Sequence, residues 1–207
     1  MIGKRKNRNK LLLILYGVII TSSFSCVIQH PLKKEDVLQI PYTGNETLIF
    51  QSDKNQNDTI FLTGTKRFNG CYDPLAVISK KCEGISFTCK HTDPNYDRYL
   101  CGQKLVDLVT DQKDVTYISF HIAMKGSWFY TNSSFSMNEF NALPNTSLII
   151  NNITYTDVKV IEATSYSKQY EDRANYAERI YWSKTKGFLG LDRKDEKWRL
   201  VKLIDHN

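Results

Sequence analysis

The chain has 207 residues, a formal charge of +6 and a pI near 9.0. Five of its 28 basic residues precede position 26, and the remainder of the chain carries 23 Lys+Arg against 22 Asp+Glu. That near-neutral balance, with no basic stripe interleaved with aromatics, excludes a nucleic-acid partner argued from the pI, and the length suits one domain with a real core.

The first 26 residues read as an address. Lys4, Arg5, Lys6, Arg8 and Lys10 form a basic run, Leu11 to Ile20 an apolar run, and Thr21, Ser22 and Ser23 a small polar zone. This is the order of a secretory signal. The apolar run is about half the roughly 20 residues that a spanning helix needs. Ser23-Phe24-Ser25-Cys26 closes the zone on a cysteine and resembles a bacterial lipoprotein signal. The resemblance implies cleavage before Cys26, acylation of its thiol and attachment to a membrane through the acyl chains. The expected organisation is a signal over 1–25, a lipidated Cys26 with a tether to residue 42, and a single β-rich domain over 43–207. Pro31, the run Lys33-Lys34-Glu35-Asp36 and Pro41 suggest the tether.

Glu46 to Gln51 and Thr59 to Thr63 are strand candidates flanking the polar turn Ser52 to Asp58. Residues 71–112 break this rhythm with Asp73-Pro74, Gly84 and Asp93-Pro94-Asn95, and helical patches are expected over 74–80 and 102–109. The β pattern resumes at Val115 to Ile122, with Ile118, Phe120 and Ile122 on one face and Tyr117, Ser119 and His121 on the other. Ser127 to Tyr130 reads as a short strand. Ser136 with Glu139 three residues on matches a capping box and predicts a helical turn over 136–140. Strands are expected over 147–155 and 157–163, parted at Thr156-Asp157, and a polar loop over 165–175. Residues 178–183, 188–193 and 197–203, joined by short polar turns, predict an antiparallel meander. Its expected buried anchors are Ile180, Trp182, Phe188, Leu191, Trp198 and Leu200. The expected fold class is mainly β: a curved antiparallel sheet, half-barrel or sandwich, with a cysteine-rich loop or helical excursion.

Outside the signal, Cys71, Cys82, Cys89 and Cys101 cluster within 31 residues. Clustered, even-numbered cysteines beyond the cytosol read as disulfides. Nearest-neighbour pairing closes the shortest separate loops, while crossed and nested pairings stay open. No short C-x2–4-C zinc chelate is present, although His91, two residues after Cys89, leaves a Cys/His metal site as an alternative.

Chemistry-bearing motifs are scarce. There is no G-x-S-x-G elbow, H-E-x-x-H, P-loop or dinucleotide-binding glycine fingerprint. No catalytic residue and no cofactor is therefore expected. His121 would need a nucleophile and an orienting acid to act as a base; the simpler reading is a partly exposed strand histidine. Asp107, Asp111 and Asp114 lack calcium-loop spacing and read as a solvated acidic face. Trp128-Phe129-Tyr130 and Tyr181-Trp182 read first as core, and second as platforms for a glycan or an apolar ligand.

Two stretches complete the picture. Asn152-Ile153-Thr154-Tyr155-Thr156-Asp157-Val158 looks like a G-x-x-Y-x-D-V strand pair, with Asn in the usual Gly place. Arg179 to Lys184, Gly187 to Leu191 and Trp198-Arg199-Leu200 look like a k-I-Y-Y-s-k, G-l-i, W-x-L ending. Together with the signal they resemble small Bacteroidetes or Flavobacteria membrane lipoproteins of uncharacterised function. The resemblance implies an envelope location, the outer membrane first, and no activity. The expected function is a non-enzymatic binding or structural module for an envelope protein or glycan. The alternatives are a carrier of an apolar ligand in a half-barrel and an envelope hydrolase.

Overall fold

The structure, a computed structural model, describes residues 28–71, 80–92, 104–125, 127–128, 134–163, 171–173 and 176–206. β1 (Ile28–His30) and α1 (Lys34–Val37) lead into a first meander: β2 (Glu46–Ser52), β3 (Asn57–Asn69), β4 (Lys80–His91), β5 (Lys104–Thr110) and β6 (Thr116–Phe120). The small hairpin of β7 (Ala123–Met124) and β8 (Ser127–Trp128) comes next, then β9 (Phe135–Ser136) and α2 (Met137–Ala142). A second meander ends the chain: β10 (Asn145–Ile150), β11 (Ile153–Glu162), β12 (Ala177–Ser183), β13 (Gly187–Arg193) and β14 (Lys197–Asp205).

All but β7 and β8 join one sheet in the order β10-β11-β12-β13-β14-β2-β3-β4-β5-β6-β9, with β1 added in parallel to β4. The fold is mainly β, and the sheet, antiparallel along this order, curls into a half-barrel. The two meanders meet where β14 pairs with β2, from Trp198 opposite Ser52 to Asp205 opposite Glu46. The sheet's two edges, β9 and β10, are consecutive in the chain on either side of α2. Ser136 caps that helix as its sequence predicts: its Oγ accepts from the Glu139 amide at 3.2 Å, and its own amide donates to Glu139 Oε2 at 2.8 Å. At the other end, Lys159 of β11 donates to the carbonyls of Leu143 at 2.6 Å and Asn141 at 3.2 Å. A cation there satisfies helix carbonyls that lack intrahelical partners.

The concave side holds the core. Trp182, Trp198, Phe50, Phe188, Ile118, Leu108 and Val106 are buried there, and Met137 and Phe140 of α2 close over them. Phe120 lies 5.0 Å from Trp182 and 5.9 Å from Phe140, centroid to centroid; Phe50 lies 4.9 Å from Phe188. All six expected anchors of the C-terminal meander are buried. Ile118, Phe120 and Ile122 share the core face, as the alternation requires.

Several expectations change. Residues 104–109 of the helical patch expected over 102–109 form, with Thr110, strand β5. Leu105, Val106, Asp107 and Leu108 are all buried, and a strand covered on both faces loses the alternation that separates it from a helix. Residues 80–91 are likewise an interior strand, so that much of the expected excursion belongs to the sheet. Of the helix expected over 74–80, residues 74–79 lie outside the described residues and Lys80 begins β4. The break expected at Thr156-Asp157 falls instead at Asn151-Asn152, both at positive φ, the geometry of a two-residue hairpin turn.

The segment expected as a tether is built into the domain from residue 28 onward. Ile28, Gln29 and His30 pair with Lys80, Lys81 and Cys82. Ile40 and Tyr42 are buried, and the Tyr42 hydroxyl accepts from the Phe188 amide at 2.7 Å while its ring packs edge-on against Trp182 at 5.9 Å. Gly187 is required beneath it: φ is +75°, and a Cβ there would stand 2.2 Å from the Tyr42 hydroxyl oxygen.

Cys71 and Cys82 form a disulfide with a Cα–Cα distance of 5.0 Å, the nearest-neighbour pairing for this half of the cluster. Cys89 is buried on β4, its Sγ 3.6 Å from His91 Nε2; Cys101 lies outside the described residues.

Two measurements check this architecture. Trp198→Ala empties a filled site and should cost roughly 3–5 kcal/mol, lowering the melting temperature by about 10 °C; a change within a degree would contradict its place in the core. Cys71→Ser opens the short loop to Cys82 and should cost roughly 2–4 kcal/mol. A urea midpoint equal to that of wild type would show that this bridge contributes nothing.

Candidate functional site

Bulges and cross-strand registry place two polar clusters on the convex face, and the run-out of β1, β3 and β4 beyond the core leaves a cleft at one end of the half-barrel.

The first cluster centres on Asp107 of β5. Its neighbours in register are Ser86 on β4 and Ser119 on β6. Asp107 Oδ2 accepts from Lys104 Nζ at 2.8 Å and lies 3.2 Å from His121 Nε2. Lys104 also stands over the Phe68 ring at 5.3 Å. Burial pushes the Asp107 carboxyl up, but His121, Lys104 and Ser86 outweigh it and hold the group below the ordinary carboxylate value. Asp107 is thus a buried hub and no part of a solvated acidic face. Asp111 instead caps its own turn through the Lys113 and Val115 amides, and Asp114 pairs with His30 Nδ1 at 2.7 Å. The three aspartates that the sequence sets side by side have three separate tasks.

His121 therefore has the acid that a general base needs. Among the described residues no serine or threonine hydroxyl and no thiol hydrogen-bonds its imidazole; Ser86 is placed on Asp107, and Ser119 Oγ meets Ser134 Oγ at 2.7 Å. A nucleophile must share a hydrogen bond with its base to be activated. The cluster as described stores charge and orients side chains.

The second cluster spans β12 to β14. Gly190 stands opposite Tyr181 on one side and Arg199 on the other. The bare glycine lets both side chains fold across it, and a Cβ there would meet the Trp198 carbonyl at 2.3 Å. The Arg199 guanidinium lies 4.7 Å from the Tyr181 ring centroid, a cation–π contact. Asp192 accepts from both, Tyr181 Oη at 2.6 Å and Arg199 Nη1 at 2.6 Å. Burial, then the hydrogen bond to Asp192 and its charge, push the Tyr181 hydroxyl up to about 12. The Tyr181-Trp182 pair is thereby divided: Trp182 fills the core, and Tyr181 lies on the convex face under Arg199. The side chains of Trp128, Phe129 and Tyr130 lie outside the described residues.

The cleft has a volume of about 510 Å³ and is lined by Gln29, His30 and Pro31 of the β1 segment, Arg67, Phe68 and Asn69 of β3, and Lys81, Cys82 and Glu83 of β4. Arg67 pairs with Glu83, whose second oxygen accepts from the Leu32 amide at 3.0 Å. Asn69 Oδ1 accepts from the Cys71 and Cys82 amides at 3.1 and 2.9 Å, fixing the side-chain amide beside the disulfide. Spacing along the chain gave no sign of this cleft, because residues 29, 67 and 81 are brought together by the parallel β1–β4 pair and the antiparallel β3–β4 pair. Cys26, the expected lipidation site, lies outside the described residues, two positions before β1. Among the described residues no group of three His, Cys, Asp or Glu side chains converges as metal ligands would.

No protein-family model, no curated protein and no solved structure matches this chain.

The Asp107 hub gives a signed prediction. A depressed carboxyl contributes stability that is present above the unfolded value near 3.8 and lost as pH falls through the lower folded value. At pH 7, Asp107→Asn should cost roughly 1–3 kcal/mol. The gap between the wild-type and variant melting temperatures should narrow as pH drops below 3.8. A gap that is constant from pH 7 to pH 3 would refute the charge-based role.

Proposed function

We propose that this chain is a cell-envelope lipoprotein, acylated on Cys26 and held in a membrane, the outer membrane first, by its acyl chains. Its folded part serves as a non-enzymatic binding or structural module toward an envelope protein or a glycan. The observation that carries the reading is the series of basic run, short apolar run and Ser23-Phe24-Ser25-Cys26, two positions before Ile28, which is paired with Lys80 in the sheet. Two acyl chains give a stable anchor, each buried CH2 contributing about 0.8 kcal/mol. The C-terminal Tyr181-Trp182, Gly187-Phe188-Leu189-Gly190 and Trp198-Arg199-Leu200 stretches add the likeness to small Bacteroidetes or Flavobacteria lipoproteins.

The half-barrel itself favours a second reading, a carrier of an apolar ligand. The concave space of the described sheet is occupied by Trp182, Trp198, Phe50, Phe120, Phe188 and the α2 residue Phe140, which supports the binding module over the carrier. The charged hubs at Asp107 and Asp192 supply a convex surface suited to polar partners.

The test is metabolic labelling with palmitate in an expressing bacterial host. Wild type should take up the label and fractionate with membranes, and Cys26→Ala should do neither. Wild-type protein without label, together with a variant that still fractionates with membranes, would end the lipoprotein reading. Apolar ligand extracted in stoichiometric amount from the purified protein would favour the carrier.

A further inference from the structure

From the geometry of the cleft we infer that it seats the phosphate of a membrane-lipid headgroup, at the end of the domain that lies against the bilayer. The inference rests on acylation of Cys26. The chain is fixed from Ile28 by pairing with Lys80. Two residues reach at most about 7 Å, while the headgroup layer on each side of the hydrocarbon is roughly 5–8 Å deep. An anchor at Cys26 therefore leaves no room for a spacer. The β1 end of the half-barrel, with Ile28 43 % exposed, is brought to headgroup level. The cleft opens beside it, lined by the next three residues, Gln29, His30 and Pro31.

Among its described lining residues the cleft gathers several donors. Both oxygens of Glu83, the one carboxylate among the described lining residues, are engaged, by Arg67 and by the Leu32 amide. Lys81 has no ion-pair partner among the described residues and leaves its positive charge uncompensated. Arg67 keeps further N–H groups of its fork beyond those on Glu83. Asn69 is fixed through its Oδ1, which leaves its NH2 as an oriented donor. His30 is 93 % buried, held through Nδ1 by Asp114, and its Nε2 has no partner among the described residues. A lysine, an arginine fork and an oriented amide around a cleft of this size match the acceptor oxygens of a phosphate ester.

The experiment uses the full chain, matured and acylated, in bilayers of phosphatidylglycerol or of digalactosyl diacylglycerol, which has no phosphate. Hydrogen exchange is followed in peptides covering 28–32, 66–70 and 80–84. These peptides should exchange about tenfold more slowly in the phospholipid than in the glycolipid. Lys81→Glu should abolish that difference at an unchanged melting temperature, and Lys81→Arg should restore it. Cys26→Ser protein titrated with glycerol 3-phosphate tests a soluble source; binding too weak to detect at millimolar ligand is expected. Acylated protein with equal exchange in the two lipids, or Lys81→Glu protein that keeps the protection, overturns the inference and leaves the anchor standing. Micromolar binding of glycerol 3-phosphate by the unacylated protein overturns the lipid as the source. Absence of fatty acid on Cys26 overturns the anchor reading and this inference with it.

Discussion

The antiparallel pairing of β14 with β2 is what makes a half-barrel of the two meanders. Each five-strand meander can form from local hairpins, but neither encloses a core alone. Joining Asp205 to Glu46 and Trp198 to Ser52 places the end of the chain beside the start of the domain. The inner faces of both meanders then turn toward one space, where Phe50 of β2 meets Phe188 of β13. Such non-local pairing is entropically late and slow to form, and the burial of Trp182 and Trp198 is what offsets it. α2 is a consequence of the same closure. The two sheet edges it joins are neighbours in sequence, so a six-residue helix covers the mouth, with Phe140 facing Phe120 and Lys159 on its last carbonyls.

Residues 28–42 are tied into this arrangement at two points. β1 extends the sheet along β4 where β5 has ended, and Tyr42 inserts between Trp182 and the Gly187 turn. Burial and hydrogen bonding pull on the Tyr42 hydroxyl in opposite senses, and burial prevails, so the group stays protonated and donates or accepts without charge. A segment held in this way transmits position.

The convex face is organised by exceptions to regular pairing. The Leu105 bulge on β5 aligns Lys104 with Thr88 and lets its ammonium reach Asp107. Gly190, a position where a strand is normally weakened, is covered from both sides by Tyr181 and Arg199, and the loss is turned into a cation–π and ion-pair cluster. Asp157 plays a comparable part at the β12–β13 turn. It accepts from Ser183 and Thr185, and these contacts, set against burial, hold its carboxyl below the usual range.

Elements whose stabilisation is local were legible in the order of residues alone. Alternation over residues 178–203 specifies which face each strand buries, and the short polar turns specify antiparallel neighbours. Ser136 and Glu139 specify a helix start through hydrogen bonds three residues long. Clustering of the cysteines marked disulfides, with nearest-neighbour pairing closing the two shortest separate loops, while the crossed and nested alternatives were left for the fold to decide. Whatever depends on neighbours distant in the chain was settled by the fold. β5 is a strand because β4 and β6 flank it, and covering both its faces erases the period that distinguishes strand from helix. Asp107, Asp111 and Asp114 part company because each finds a different partner: His121 and Lys104, the turn amides, and His30. The cleft exists because a parallel pair brings residue 29 to residue 81. Alternation reports only whether a side chain faces inward or outward. Which side chain it then meets is set by register between strands that lie about 50 or about 150 residues apart in the chain, as at β1–β4 and β2–β14.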